Sequence, residues 1–428
     1  MTSISSEGGT SNPLERSRSR QDRTGTTVMI AGTVFSALAA YLVQAIGGRA
    51  VGADAFAPVS VMWTVLFLGF TIFLIPVEQL VIRRLTLGGG RSDALASSWP
   101  VIVTVLTSAT VLAIAFSFAA NGSLLGGDTG YVPVAALMFP GHGLLIVARG
   151  FLAGRRRFVA YGIAVGLDAL GKLAATVVVV LAGWGPVALA WALVVSPLVV
   201  LAVRPFRHDP SHASAPLEVE AGSDRRFMGG FLVATAASQT ILAAGPLVVG
   251  ALGATSAAIS VFFVTTTLFR GPMSASYNLI ARVLPFMTRH AALGDHSRLG
   301  RLARMLALGG MAGAALVGAI SAVLGPWVVE VLYGVDFRPA AVVAGLAGAA
   351  VILAMVGLVT TQILVGRGDT GVMALVWMVA IVAAGVTIAA TSGDPQVRVA
   401  SGFLAGEGVA LVGLTLAAAG GRSGPASG

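Results

Sequence analysis

GADAFAPVSVMWTVLFLG, residues 52–69, can be laid on GATSAAISVFFVTTTLFRG, residues 253–271, with a one-residue shift. Each stretch leads from a short polar turn into a long apolar run. Each run ends at an arginine-bearing loop with glycine, RRLTLGGGRSDAL at 83–95 and TRHAALGDHSRL at 288–299. Weak similarity at corresponding positions in the same orientation marks parallel internal repeats, and such repeats place a substrate at the interface between the halves.

The rest of the chain agrees with a membrane setting. Of 428 residues, 56% are hydrophobic and 11% charged, with a mean hydropathy of +0.89, whereas soluble domains carry roughly 25% charged residues. The apolar runs are long enough for helices spanning a bilayer, which need about 20 residues, and they lack the alternation of a β-barrel. The 55 glycines suit close helix packing where lipid supplies no hydrophobic drive between helices. Twelve spans are predicted: 28–48, 58–82, 98–120, 132–153, 158–183, 185–203, 230–253, 257–287, 305–325, 339–366, 371–391 and 399–419.

Residues 1–27 have almost no apolar content and are expected to be a disordered cytoplasmic tail. The first apolar run is expected to be a retained helix rather than a signal peptide. The polar segment from Arg204 to Arg226, RPFRHDPSHASAPLEVEAGSDRR, has the composition of a linker. It divides the chain into an amino-terminal lobe, 28–203, and a carboxy-terminal lobe, 230–419, joined through 204–229, with a second cytoplasmic tail at 420–428. Positive charge marks cytoplasmic loops. With the amino terminus inside, 21 of the 27 basic residues fall on the cytoplasmic side and only Arg49, Arg338 and Arg398 on the other. Both termini are therefore expected in the cytoplasm. The same bias accounts for most of the net charge of +9 without nucleic acid.

Composition also excludes chemistry. The chain has no cysteine, which removes disulfides and thiolate metal sites. No nucleophile–base set, phosphate-binding Gly-Lys-Ser loop or metal cluster is present, and no expected outer loop exceeds about 15 residues. No cofactor, metal or catalytic residue is expected, and a glycan polymerase or ligase is a remote alternative.

Several stretches resemble the lipid-linked oligosaccharide and polysaccharide flippases of the multidrug, oligosaccharidyl-lipid and polysaccharide exporter superfamily. QAIGGRAVGADAFAPVSV at 44–61 carries an R-x-x-G-x-x-x-F pattern. RGFLAGRRRFVAYG at 149–162, FRGPMSASYNLIARVLPFMTRHAALGD at 269–295 and VLYGVDFRPA at 331–340 look like that family too. The resemblance covers about residues 28–419. It implies an all-α polytopic protein of the bacterial cytoplasmic membrane, with two six-helix lobes in a V around a central cavity that opens alternately to each side. The implied cargo is an undecaprenyl-pyrophosphate-linked glycan moved to the outer leaflet, with membrane lipids, coupling protons or sodium, and envelope glycan biosynthesis proteins as partners. A multidrug or organic-cation antiporter of the same superfamily is the alternative.

Charges inside spans carry the site expectations, because a charge near the bilayer centre normally faces a cavity or a partner. Arg270 lies about 20 Å along its span, beside Gly271 and Pro272, which predict a hinge. It is expected either to meet a phosphate in the cavity, through the bidentate bonds guanidinium favours, or to form an interhelical ion pair, with Glu407 as a possible partner. Asp168 and Lys172 share a helix face. They are read either as a self-neutralised pair or as a substrate-binding Lys172 released when Asp168 takes a proton. Gly162, Gly166 and Gly171 predict close packing nearby. Arg149 is expected to snorkel toward the cytoplasmic arginines, or to guide the headgroup if it faces inward. Glu78, beside a second hinge residue, Pro76, is expected at the interface, with a role in ion coupling if it is not. Glu407, between glycines, is a candidate ion or proton site. His142, Gln44, Gln239 and Gln362 are expected to bond between helices. PWVVEVLYGVDFRP at 326–339 is expected to be an outer-face amphipathic piece anchored by Trp327 and Tyr333.

Overall fold

The computed structural model describes residues 13–87, 98–207, 224–271 and 295–420, with Leu95, Ala96, Met273, Met287 and Leu293 between them. Every element among them is helical. In chain order these are α1 (Pro13–Gly69), a π turn (Phe70–Leu74), α2 (Ile75–Leu87), α3 (Trp99–Ala119), α4 (Tyr131–Gly154), α5 (Phe158–Leu181), and α6 (Pro186–Val195), which continues as a 3-10 helix to Val203. There follow α7 (Asp224–Ala243), α8 (Gly245–Ala251), α9 (Ser256–Phe269), α10 (His296–Tyr333), α11 (Ala341–Arg367), α12 (Thr370–Ala390) and α13 (Pro395–Ala419).

Among the described residues nine helices are long and apolar enough to cross a membrane, or ten with α7 and α8 joined across their 61° bend. One of the nine, Thr27–Leu85, holds the first two expected spans, and Ser256–Phe269 begins the eighth. Each of the twelve expected spans is thus present or begun among the described residues. The apolar side chains on the outside, such as Leu181 at 83% exposure and Val323 at 76%, belong against lipid. α1 begins at Pro13, inside the stretch expected to be a tail. Proline suits the first helical turn, and the Leu, Glu, Arg and Gln that follow are good helix formers.

The matched stretches begin alike. Gly52 and Gly253 both have φ +79°, a left-handed conformation that glycine adopts without penalty, and each turns the chain into the next long helix. Pro76 is accommodated by the π turn, where the Ile75 N–H reaches back to the Phe70 carbonyl. A widened turn relieves the clash between a proline ring and the preceding carbonyls. The helix carrying Arg270 stops at Phe269, with Arg270 as its cap. Pro272 lies outside the described residues.

The amino-terminal half packs around Met62, Leu74, Val81, Ile102, Met138 and Ile146. The carboxy-terminal half packs around Ile363, Leu364, Met373, Trp377 and Leu414. Backbones touch where α1 meets α5. A Cβ on Gly162 would come within 2.6 Å of the Val28 carbonyl oxygen, and one on Gly32 within 2.4 Å of the Gly162 oxygen. Because those neighbours are backbone, Gly162→Leu should lower stability by about 3 kcal/mol, the upper end for overpacking. Gly166→Leu should be nearly silent, since nothing lies within 4 Å of that position. Thermal midpoints in detergent compare the two, and equal effects would refute the backbone contact. Gly171 also packs closely, against Val199 and Ser196.

The α10 helix continues unbroken through Pro326 to Tyr333, replacing the separate outer piece expected there. Trp327 is 60% exposed, but Tyr333 is buried beside Phe337. It is therefore part of a core and not an interfacial anchor.

Candidate functional site

The two halves meet along the repeated stretches, α1 against α9. Between them lies a cavity of about 220 Å³ lined by Tyr41, Gln44, Trp63, Thr64 and Phe67 from one half and Leu242, Phe263, Thr267, Arg270 and Met273 from the other. Arg270 is the one charged side chain among its described lining residues. The guanidinium donates to the Leu242 carbonyl at 3.3 Å and to Thr267 Oγ1 at 3.1 Å, and it lies 5.2 Å from the centre of the Phe67 ring. Leu242 is one residue short of the end of α7, so Arg270 places positive charge on the carbonyl end of a helix, where the dipole favours it. Tyr41 donates to the Thr267 carbonyl at 3.1 Å, and its hydroxyl lies 2.6 Å from where a Cβ on Gly271 would sit. A side chain at 271 would displace that hydroxyl.

A second polar group is enclosed within the amino-terminal half. Arg149 Nε lies 3.1 Å from Glu78 Oε1, and the Tyr161 hydroxyl donates to the same oxygen at 3.0 Å while accepting from Arg149 Nη2 at 2.5 Å. The Tyr161 ring also lies under the guanidinium, 5.0 Å away. Glu78 is 4% exposed. These positions differ from two expectations: Glu78 is enclosed within the protein, and Arg149 pairs with it instead of reaching toward the cytoplasmic arginines. The reason is mutual, since each neutralises the other in a largely enclosed site.

Farther along α5, Lys172 Nζ donates to Asp168 Oδ2 at 2.7 Å and Ser196 donates to Oδ1 at 2.8 Å. Both carboxylate oxygens are thus engaged. His142 Nδ1 lies 2.8 Å from the Met138 carbonyl. Phe70 spans the two groups, with its ring 6.3 Å from His142 and 6.0 Å from the Arg149 guanidinium. The described bond of His142 lies within its own helix. So does that of Gln362, to Leu358, and the Gln44 carbonyl oxygen has no partner. The interhelical bonds expected of these side chains are not the ones seen.

Glu407 is 2% exposed on α13, and its Oε2 has no hydrogen-bond partner. Its helix neighbours Phe403 and Ala410 pack in apolar clusters, and Arg270 bonds elsewhere. The ion pair between Arg270 and Glu407 held open from the sequence is absent among the described contacts.

No family model matches the sequence. Three uncharacterized proteins, one from Mycobacterium bovis and two from strains of Mycobacterium tuberculosis, are 29% identical over 286 residues. The match covers 62% of this chain and spans 62% of each relative's length. Among solved structures, an inward-facing multidrug resistance MATE family transporter of the MOP superfamily is similar with a TM-score of 0.64 and 15% identity, over 90% of this chain and 93% of that one. A eukaryotic MATE transporter gives 0.55 and 16%, over 92% and 95%, and a mutant MATE transporter of Vibrio cholerae gives 0.52 and 11%, over 94% and 96%. The chain has the MATE-transporter fold. We call α1–α6 the first lobe and α7–α13 the second.

In the MATE fold, the sequence-derived candidates occupy three separate places. Arg270 borders the cavity between lobes, and Gly271 follows it beside Tyr41. Glu78, Arg149, Asp168 and Lys172 lie within the first lobe, and Glu407 lies within the second. Tyr161, Ser196 and Tyr41 escaped the sequence reading, because a lone hydroxyl in an apolar run carries no periodic or charge signal. Trp63 and Phe67 could have been found, since they lie four apart on the repeated stretch.

Proposed function

We propose that this chain is an alternating-access transporter that carries a polyprenyl-pyrophosphate-linked glycan across the bacterial cytoplasmic membrane. The observation that carries this reading is the cavity between lobes, whose described lining has Arg270 as its one charge and no carboxylate. A cationic drug would meet repulsion there, whereas a pyrophosphate would meet a guanidinium able to form charge-assisted bonds. Aromatic faces at Trp63 and Phe67 suit the apolar side of a sugar ring. Repeats of this kind transport by rocking against each other around a fixed site. We place both termini in the cytoplasm on the arginine bias, which puts the Gly52 and Gly253 turns at the outer face. The fold carries the reading of two lobes, 28–203 and 230–419, moving about the 204–229 linker. Pro76 with its π turn, and Gly271 with Pro272, are the proposed hinges. Proton or sodium coupling would fall to Glu78 or Asp168 in the first lobe.

A second reading has its own observation. Glu407 holds a carboxylate oxygen without a hydrogen-bond partner inside the second lobe, which suits a coupling ion or an organic cation in an antiporter. Deleting the gene separates the two. Glycan transport predicts lipid-linked glycan stranded in the inner leaflet with unchanged drug tolerance. Loss of drug tolerance with normal glycan export would overturn it.

A further inference from the structure

The R-x-x-G-x-x-x-F stretch, Arg49 to Phe56, is left unexplained by the cavity, yet Arg49, Ala53, Asp54 and Phe56 in it all touch the other lobe. Arg49 Nε donates to the Leu332 carbonyl at 2.9 Å and its Nη2 to that of Val331. Those carbonyls are among the last of α10, which ends at Tyr333. Ala53 offers its carbonyl to Ser260 at 2.6 Å, and Asp54 Oδ1 accepts from the backbone N–H of Ala257 at 3.0 Å. Ala257 is in the first turn of α9. In the matched stretch, Thr255 stands where Asp54 stands in the first. Thr255 caps its own helix through the Ala258 N–H, whereas Asp54 caps the helix of the opposite lobe. Beneath this rim Phe56 packs against Phe263 and Phe337, and Phe337 against Tyr333. All four rings are buried.

The chemistry is complementary at both places. A cation sits on the carbonyl end of one helix and an anion on the amide end of another, each against the favourable end of the dipole. We propose that Arg49 and Asp54 are positioning residues of an outer gate: by capping α10 and α9 across the lobe interface they hold the Gly52 end of the two lobes closed over the dry aromatic cluster. This rests on the transporter reading above and adds to it the device that closes one side. The strength suits the task. Arg49 and Asp54 are exposed, so each cap shifts the closed-to-open ratio by about fivefold. Contacts of that size set the register of the closed state and still release in every cycle. Among the described residues, hydrogen bonds between lobes lie from Tyr41 and Thr267 toward this end.

The chain has no cysteine, so two labels can be introduced cleanly. Spin labels at Trp184→Cys and Val335→Cys, both exposed positions at the Gly52 end of opposite lobes, report the separation of the lobes in nanodiscs by pulsed electron resonance. The parent chain should give one short distance. Arg49→Glu or Asp54→Lys should each raise a longer-distance population about fivefold or more, while Arg49→Lys, which keeps the charge, should stay near the parent. A distribution unchanged by both reversals, or shifted equally by Arg49→Lys and Arg49→Glu, overturns the gate. If a reversal variant fails to elute as folded protein, Asp54→Ala supplies the same comparison, with an unchanged distribution counting against the gate. The readout needs no cargo. A gate that responds in a chain that leaves glycan export normal when deleted would keep this inference and refute the cargo.

Discussion

Arg149→Ala should destabilise the protein by about 3–5 kcal/mol, the cost of stranding one member of a buried ion pair. Glu78 is almost wholly enclosed, and its Oε1 receives both Arg149 and Tyr161. Removing the guanidinium leaves a largely buried carboxylate with one neutral donor. The paired change Glu78→Gln with Arg149→Met should recover most of the loss, because neutral groups of similar size need no counter-charge. Tyr161→Phe should cost less, about 1–2 kcal/mol, as the ion pair survives it. Unfolding in mixed micelles measures all three. A single variant within about 0.5 kcal/mol of the parent would show that water reaches the pair. The outcome also bears on coupling. A pair that contributes only structure tolerates neutral replacement with transport intact, whereas a coupling site does not.

With the proposed pyrophosphate-linked cargo, Arg270→Ala is expected to reduce transport about 100-fold or more at normal expression, since bonds between guanidinium and phosphate each contribute roughly 1.5–3 kcal/mol. Arg270→Lys should recover only part, because ammonium lacks the planar fork that matches phosphate. Transport in inverted vesicles measures both. Retained transport in the alanine variant would give Arg270 a structural role, with its bond to the Leu242 carbonyl as one part of it. A loss restored fully by lysine would point to general electrostatic attraction instead of a bidentate contact.

The fold was largely legible because its signals are local. Apolar runs, a bias in arginine placement and a repeated stretch beginning at glycine are all written along the chain. The candidate site was legible only in its charges. Intramembrane ionisable groups are rare enough to notice, so Arg270, Glu78, Arg149, Asp168, Lys172 and Glu407 were all found. Which of them meet was not. Glu78 and Arg149 are 71 positions apart, and each taken alone had a bland interfacial reading. Only the packing of α2 against α4 brings them together, and Tyr161 on α5 completes the group.

The sequence by itself determined that the chain is a bundle of membrane helices, built as two similar halves, with a charge and a helix break falling together at Arg270. Those properties follow from hydropathy and backbone chemistry, which act over a few neighbouring residues. Tertiary structure alone decided that Arg270 and Glu407 stay apart and that Asp54 caps a helix of the opposite lobe where Thr255 caps its own. Such choices depend on which helix faces which across a lobe interface. A pattern that repeats along one chain fixes the faces, and packing between helices fixes the partners.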